Sequence, residues 1–455
     1  MFDLAFIAIA AIAVLRATRH GLSAGFPLAA GLLVLLPGQL RIELPGALPE
    51  LTVHRIILAI LIFRWIQSPR SERPVETVHL TFWLGLWLAT RAVSDLLSVT
   101  PGASLKDLLA FAIEAVLFVQ LARAALPTAE VRLATLRAVV VALFFVALIA
   151  FVERYGGVNL PVLVFAHFKY CYDGIQSTYP HRILLGYAMA MGVPLALFLI
   201  DRARDRRARR PWWLILVALV VACFLADSRG GWIGMALAGA LSFLLGSQAT
   251  RRRCLALLAL ALLTLGVRPG VRETILSRIH DTYAADSYKG TSYQYRWRLW
   301  HVAASEIARS PDRLLFGYGG LSTESMDLSR YFDNEQGGTA AKIGYTSWDN
   351  HYASDLIEFG VVGLGVEALV YAAIVLQLLR GWRRASPEER PLIGATLIGC
   401  LVFMFARTNV YVFGEQTKFL FWTFVSLGAA AARLPIEIVD RDLSAPVTPL
   451  RPVQP

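Results

Sequence analysis

The chain has 455 residues, 56% hydrophobic and 17% charged, with a mean hydropathy of +0.55. A soluble fold of this length has too little interior to hide so much apolar surface, so the composition excludes an ordinary soluble enzyme and points to an integral membrane protein. The formal net charge of +11 does not mark a nucleic-acid partner, because the arginines gather in short hydrophilic joints between apolar runs.

Taken in chain order, segments apolar enough to enter a hydrocarbon core about 30 Å thick span residues 4–15, 24–40, 56–66, 78–93, 105–121, 133–152, 183–200, 212–226, 232–245, 254–267, 352–379, 392–405 and 419–432. The first has no basic residue before it and Arg16 and Arg19 after it. That is the reverse of a secretory signal, so it is expected to stay in the mature protein. The expected fold is an all-α polytopic membrane protein of about 12–13 transmembrane helices; thirteen crossings put the N-terminus outside and twelve put it inside. Cys223, Cys254 and Cys400 fall within apolar runs and Cys171 stands alone in a loop, so neither a disulfide framework nor a zinc site is expected.

The densest basic joints, at 201–210, 251–253 and 380–384, belong in the cytoplasm by the positive-inside rule. The hairpin tip DSRGG from Asp227 then faces the periplasm or cell exterior, together with the loops 153–180 and 268–350. The longer loop balances its charges and is rich in aromatic residues. Within it, 295–310 reads as an amphipathic helix with Trp300, Ala304 and Ile307 on one stripe, expected to lie along the membrane surface and to stop at Ser310-Pro311. FGYGG from Phe316 marks a turn, and SWDNHYASDLIEFG from Ser347 a capped helix start. The expected division is 1–267 N-terminal helices, 268–350 the large external loop, 351–441 C-terminal helices, and 442–455 a Pro-rich disordered cytoplasmic tail.

Arg229 sits where one helix of the hairpin ends and the next begins, which is an anion-binding position; the plainer reading is a headgroup anchor. A lone arginine on the outer side runs against the orientation rule, which favours a purpose. Arg182, next to His181, begins a span on the same side and admits the same two readings. Arg296 and Arg298 open the loop helix, with Arg296 one turn before Trp300, so a cation and an indole share a face unless the arginines only snorkel. His351, Asp355 and Glu358 fall at i, i+4 and i+7 of the next span, where a carboxylate can orient and activate an imidazole. Asp349, His351 and Asp355 could ligate a metal, but no metal motif supports that, and no nucleophile motif occurs. Several arginines without a metal suggest a phosphate-bearing ligand entering from the lipid, and the loop's tyrosines and tryptophans could stack on sugar rings or form an interface belt.

Three segments in order, DSRGGWIGMALAGAL from Asp227, YRWRLWHVAASEIARSPDRLLFGYGG from Tyr295 and NHYASDLIEFGVVGLGVEAL from Asn350, resemble the bacterial O-antigen ligase and polymerase superfamily. The resemblance covers roughly the C-terminal three-fifths of the chain. It departs from the common pattern at Phe316-Gly317-Tyr318-Gly319, where a proline-bearing turn is frequent, and at the acidic Asp355. It implies a GT-C-like membrane glycosyltransferase in the bacterial inner membrane, multi-pass, with its active site on the periplasmic face. Its substrates would be an undecaprenyl-diphosphate-linked glycan and a lipid A-core acceptor, with no cofactor and no nucleic-acid partner. The resemblance further implies metal-independent, inverting transfer, with Arg229 and Arg296, helped by Arg182, holding the diphosphate. His351 would be the catalytic base, and Asp355, Trp300 and Arg298 would support it. The single late loop followed by three spans favours a ligase over a polymerase. A lipid-linked glycan transporter is a third alternative, which would place its polar groups near the midplane instead of at span ends.

Overall fold

The structure, a computed structural model, describes residues 2–42, 50–68, 78–168, 174–283, 288–326, 328, 331, 348–411 and 415–432. Cys171, most of 327–347 and the tail from residue 442 lie outside the described residues.

Every apolar run of the sequence coincides with a helix. In chain order these are α1 (Phe2–Ala17), α2 (Leu22–Leu35), α3 (Val53–Gln67), α4 (Val78–Leu96), α5 (Pro101–Ala125), α6 (Ala129–Gly156), α7 (Arg182–Arg202), α8 (Arg206–Leu225), α9 (Arg229–Leu245) and α10 (Gln248–Val267). The segment 268–350 then contributes α11 (Pro269–Tyr283), α12 (Tyr288–Ile307) and α13 (Pro311–Phe316), before α14 (His351–Arg384), α15 (Arg390–Ala406) and α16 (Glu415–Ala431) follow. Strand structure among the described residues is one antiparallel ladder pairing Arg41 with Thr52 and Ile42 with Leu51. Among the described residues five helices, α5 to α8 and α14, are long and apolar enough to cross a membrane alone, and α10 with α11 makes a sixth candidate bent by 98°. The chain is therefore an all-α, multi-pass membrane protein.

Helix starts follow their capping residues: Thr128 accepts from Val131 N, Ser228 from Gly231 N and Asn350 from Ala353 N. At the centre stands α7, buried throughout 184–200 and packed on α6, α8, α9 and α15. Its contact with α9 depends on small residues, since a Cβ on Gly231 would sit 2.9 Å from the Gly186 Cα.

The helices of segment 268–350 differ from the sequence expectation in two ways. First, α12 begins before residue 295, and its buried stripe is Tyr295, Leu299, Val302, Ala303 and Ile307. Trp300 is only half-buried and Ala304 is exposed, so the stripe anticipated at Trp300, Ala304 and Ile307 is rotated. The apolar side packs on Trp348, Ala353, Leu356 and Ile357 as a second core, with α14 taking the place that lipid was expected to fill. Second, the helix that turns sharply away from a span is α11, which the sequence did not mark. Tyr331 helps close the second core by donating to Glu306; burial, then that bond, push its phenol up to about 12, so it remains a donor at neutral pH.

The FGYGG turn locks the loop to the bundle. At Gly360, φ is +64°, which interrupts α14 and frees the carbonyls of Ile357 and Glu358. Tyr318 N donates to the first at 2.9 Å and Gly319 N to the second at 2.8 Å. A Cβ on Gly360 would meet Leu315 and Phe316 backbone atoms at about 2.5 Å, so only glycine allows this approach. The same turn reaches the α4–α5 connection, where Gly320 N donates to Asp95 Oδ1 at 2.7 Å and Ser104 Oγ to Gly320 O at 2.7 Å.

Candidate functional site

Residues 407–411, between α15 and α16, bring the separated sequence motifs together. The carbonyl of Arg407 accepts from His351 N at 3.0 Å, and the carbonyl of Asn409 accepts from Arg296 Nε at 2.9 Å. Tyr411 stacks on the His351 ring, centroids 4.5 Å apart and planes 21° apart. Arg296 also donates to Asp349 Oδ2 at 3.2 Å, two residues before the histidine. A guanidinium and an imidazole 55 positions apart in the chain are thus tied to the same short connection.

Beneath His351 the Arg407 side chain is buried and donates to Asp355, Glu367 and the Tyr371 hydroxyl, with its guanidinium carbon 4.9 Å from the Tyr352 ring centre. An arginine so deep requires carboxylate partners, and this one has two. Asp355 therefore spends its charge chiefly on Arg407; its other oxygen stands 3.8 Å from His351 Nε2, longer than a hydrogen bond.

His351 lines a cavity of about 730 Å³, a figure that includes its opening to solvent. The walls come from α4, α5, α14, α15 and α16 and carry Arg91, Asp107, Glu114, Glu358 and Lys418 beside the aromatic residues Trp87 and Trp422. Arg91 bonds Asp107 and lies 4.1 Å over the Phe359 ring.

A second charged group occupies other helices. Asp227, in left-handed conformation with φ of +47°, accepts both Nε and NH2 of Arg278 from α11 at 3.1 and 2.5 Å. Arg182, opening α7, donates to the Asp227 carbonyl at 3.4 Å and has its guanidinium 3.7 Å from the carboxylate. Arg229 is the first residue of α9, two positions on and half-buried. The ring of Tyr187 packs on Gly230 and Gly234, and its hydroxyl is in electrostatic reach of Arg296, so the hairpin tip and the loop helix face each other across it.

Residues 214–366, about a third of the chain, match the family model described as O-antigen ligase. No curated protein matches the chain.

The matched segment holds Arg229, Arg296, Arg298, Trp300, His351 and Asp355, and Arg182 lies before it. The structure joins Arg296 to His351 through the 407–411 connection and groups Arg182 with Asp227 and Arg278. Asp355 is adjacent to His351 but engaged by Arg407, and Trp300 packs at the edge of the second core. Arg298 stands half-buried on α12. Sequence reasoning missed Arg278, Arg91, Glu367, Arg407 and Lys418. Two signals were available: Arg91 and Arg407 are charged residues at the ends of apolar runs, and Glu367 lies inside one, where an ionisable group needs a partner.

Proposed function

We propose that the chain is an inner-membrane glycosyltransferase that moves a glycan from undecaprenyl diphosphate to a sugar of lipid A-core on the periplasmic face. The observation that carries this reading is that His351 borders a cavity and shares its supporting connection with Arg296, while Arg182 and Arg278 meet at Asp227, two positions before Arg229, on other helices. Two of these arginines, Arg182 and Arg278, share the Asp227 carboxylate, and Arg229 follows it two positions on. Guanidinium groups gathered in this way suit a dianionic leaving group.

In the reaction an acceptor hydroxyl oxygen attacks the anomeric carbon as the bond from that carbon to the diphosphate oxygen breaks. His351 takes the hydroxyl proton, and undecaprenyl diphosphate leaves with the bonding electron pair. Single displacement inverts the anomeric centre. Fixed arginines stabilise the charge that develops on the diphosphate, the task a divalent cation performs elsewhere. Arg296, held by Asn409 O and Asp349, ties the diphosphate side to the backbone that positions His351. The single late external loop supports a ligase over a polymerase using the same donor.

Purified protein mixed with undecaprenyl-diphosphate glycan and lipid A-core, without divalent cations, is expected to yield capped lipopolysaccharide. Strict metal dependence would remove the arginine role, and products joining two donors would make the chain a polymerase.

A further inference from the structure

We infer that the cavity beneath His351 is the binding site of the acceptor sugar ring, that Glu114 and Lys418 read its hydroxyls, and that it takes neutral or amino sugars and rejects anionic ones. The inference rests on the glycosyl-transfer reading and assigns the acceptor's place in it.

Indole walls with scattered polar groups suit a sugar's apolar faces and hydroxyl edges. Its charges are largely committed. Arg91 is bonded to Asp107, and Arg407 to Asp355 and Glu367. That leaves Lys418 as the lining cation against the two lining carboxylates Glu114 and Glu358. An anionic ring would meet this surplus of carboxylate, whereas hydroxyl and ammonium donors would be accepted by it.

Glu114 is built into the wall by a specific backbone device. Within α5 a π turn covers Ala112–Leu117, and the extra residue per turn sends both Glu114 and Ala115 inward. Glu114 is 7% exposed, with Arg55 3.6 Å away and the His54–Glu415 pair beside it. A carboxylate halfway along an apolar helix is costly unless a partner or ligand uses it. Trp87 and Trp422, 6.4 Å apart, give the cavity its own fluorescent reporters.

The test is equilibrium binding without donor, read by tryptophan quenching in nanodiscs, with methyl glucoside, methyl glucosaminide and methyl glucuronide as probes. The first two are expected to quench saturably and the glucuronide at least about tenfold more weakly. The signal should vanish in a Trp87→Phe, Trp422→Phe double variant. Glu114→Gln and, as a second probe of the same wall, Lys418→Met should each weaken glucoside binding about tenfold. In turnover both should raise the acceptor KM and leave the donor KM unchanged. Equal or tighter glucuronide binding, quenching that survives the double tryptophan change, or an effect confined to donor KM overturns the assignment. Binding as expected without any transfer would instead overturn the glycosyl-transfer reading and keep a sugar site.

Discussion

The hairpin-tip arginines and the Arg407 centre are both built from guanidinium and carboxylate groups, yet they balance charge in opposite ways. At the tip, Arg182 and Arg278 share Asp227, and the three side chains are 19%, 28% and 33% exposed. At the centre, Arg407 is 5% exposed and bonded to two carboxylates that are 6% and 2% exposed. Where water or a headgroup can reach, two guanidinium groups converge on one carboxylate; where neither can, one guanidinium has two, because an unmatched buried charge costs several kcal/mol. The first arrangement suits holding a diphosphate. The second suits fixing the helix that carries His351.

The largest effect is expected at the boundary between the two regions. His351→Ala should lower transfer roughly 10²- to 10⁴-fold, the usual worth of a general base, with donor binding unchanged; near-normal turnover would leave the histidine a structural role. Next comes the buried centre. Arg407→Met strands Asp355 and Glu367 and should destabilise the protein by about 3–5 kcal/mol, measured by thermal unfolding in detergent. Adding Asp355→Asn and Glu367→Gln should restore most of that loss. If the triple variant is no more stable than the single one, packing and not charge holds α14.

The same contrast separates what the sequence made legible from what it hid. Hydropathy located every described helix long and apolar enough to span, because crossing lipid demands apolar runs. Arg229 and His351 stood out because a charged or titratable group at the end of a span conflicts with its surroundings locally, and Arg296 because it opens a loop helix one turn before Trp300. Arg407 was hidden because its partners, Asp355 and Glu367, lie 52 and 40 residues away. Pairing at that distance depends on how α14 and α15 pack and leaves no spacing to read. The rotated stripe of α12 has a similar origin: Trp300 satisfies helical periodicity as well as Leu299 does, and only the position of Ala353 and Ile357 on α14 selects between them. The role of FGYGG was legible only as a turn, since its partner carbonyls exist because Gly360 breaks a helix 40 residues later.

On the arginine side the expected effects are smaller. Arg229→Ala and Arg296→Ala should each raise the donor KM roughly 10- to 100-fold, the worth of hydrogen bonds to a charged group. Lysine should restore only part of the loss, because it lacks the planar fork. Acceptor KM should stay within error; a matching rise there would mean that the two regions are one site.

The smallest change is expected at Asp227, and it discriminates most finely. This carboxylate occupies Arg182 and Arg278 in the absence of a ligand, so a diphosphate must compete with it. Asp227→Asn removes the competitor and also loosens both guanidinium groups, and partly exposed pairs of this kind are worth about 0–1 kcal/mol. The two consequences oppose each other, so the donor KM should move less than about fivefold in either direction. Its dependence on salt should steepen, because the site gains a net positive charge. A loss of donor use as large as that of Arg229→Ala would show that Asp227 holds the arginines in a geometry they cannot otherwise keep, and the tip would then resemble the buried centre: charge committed to architecture and none held for a ligand.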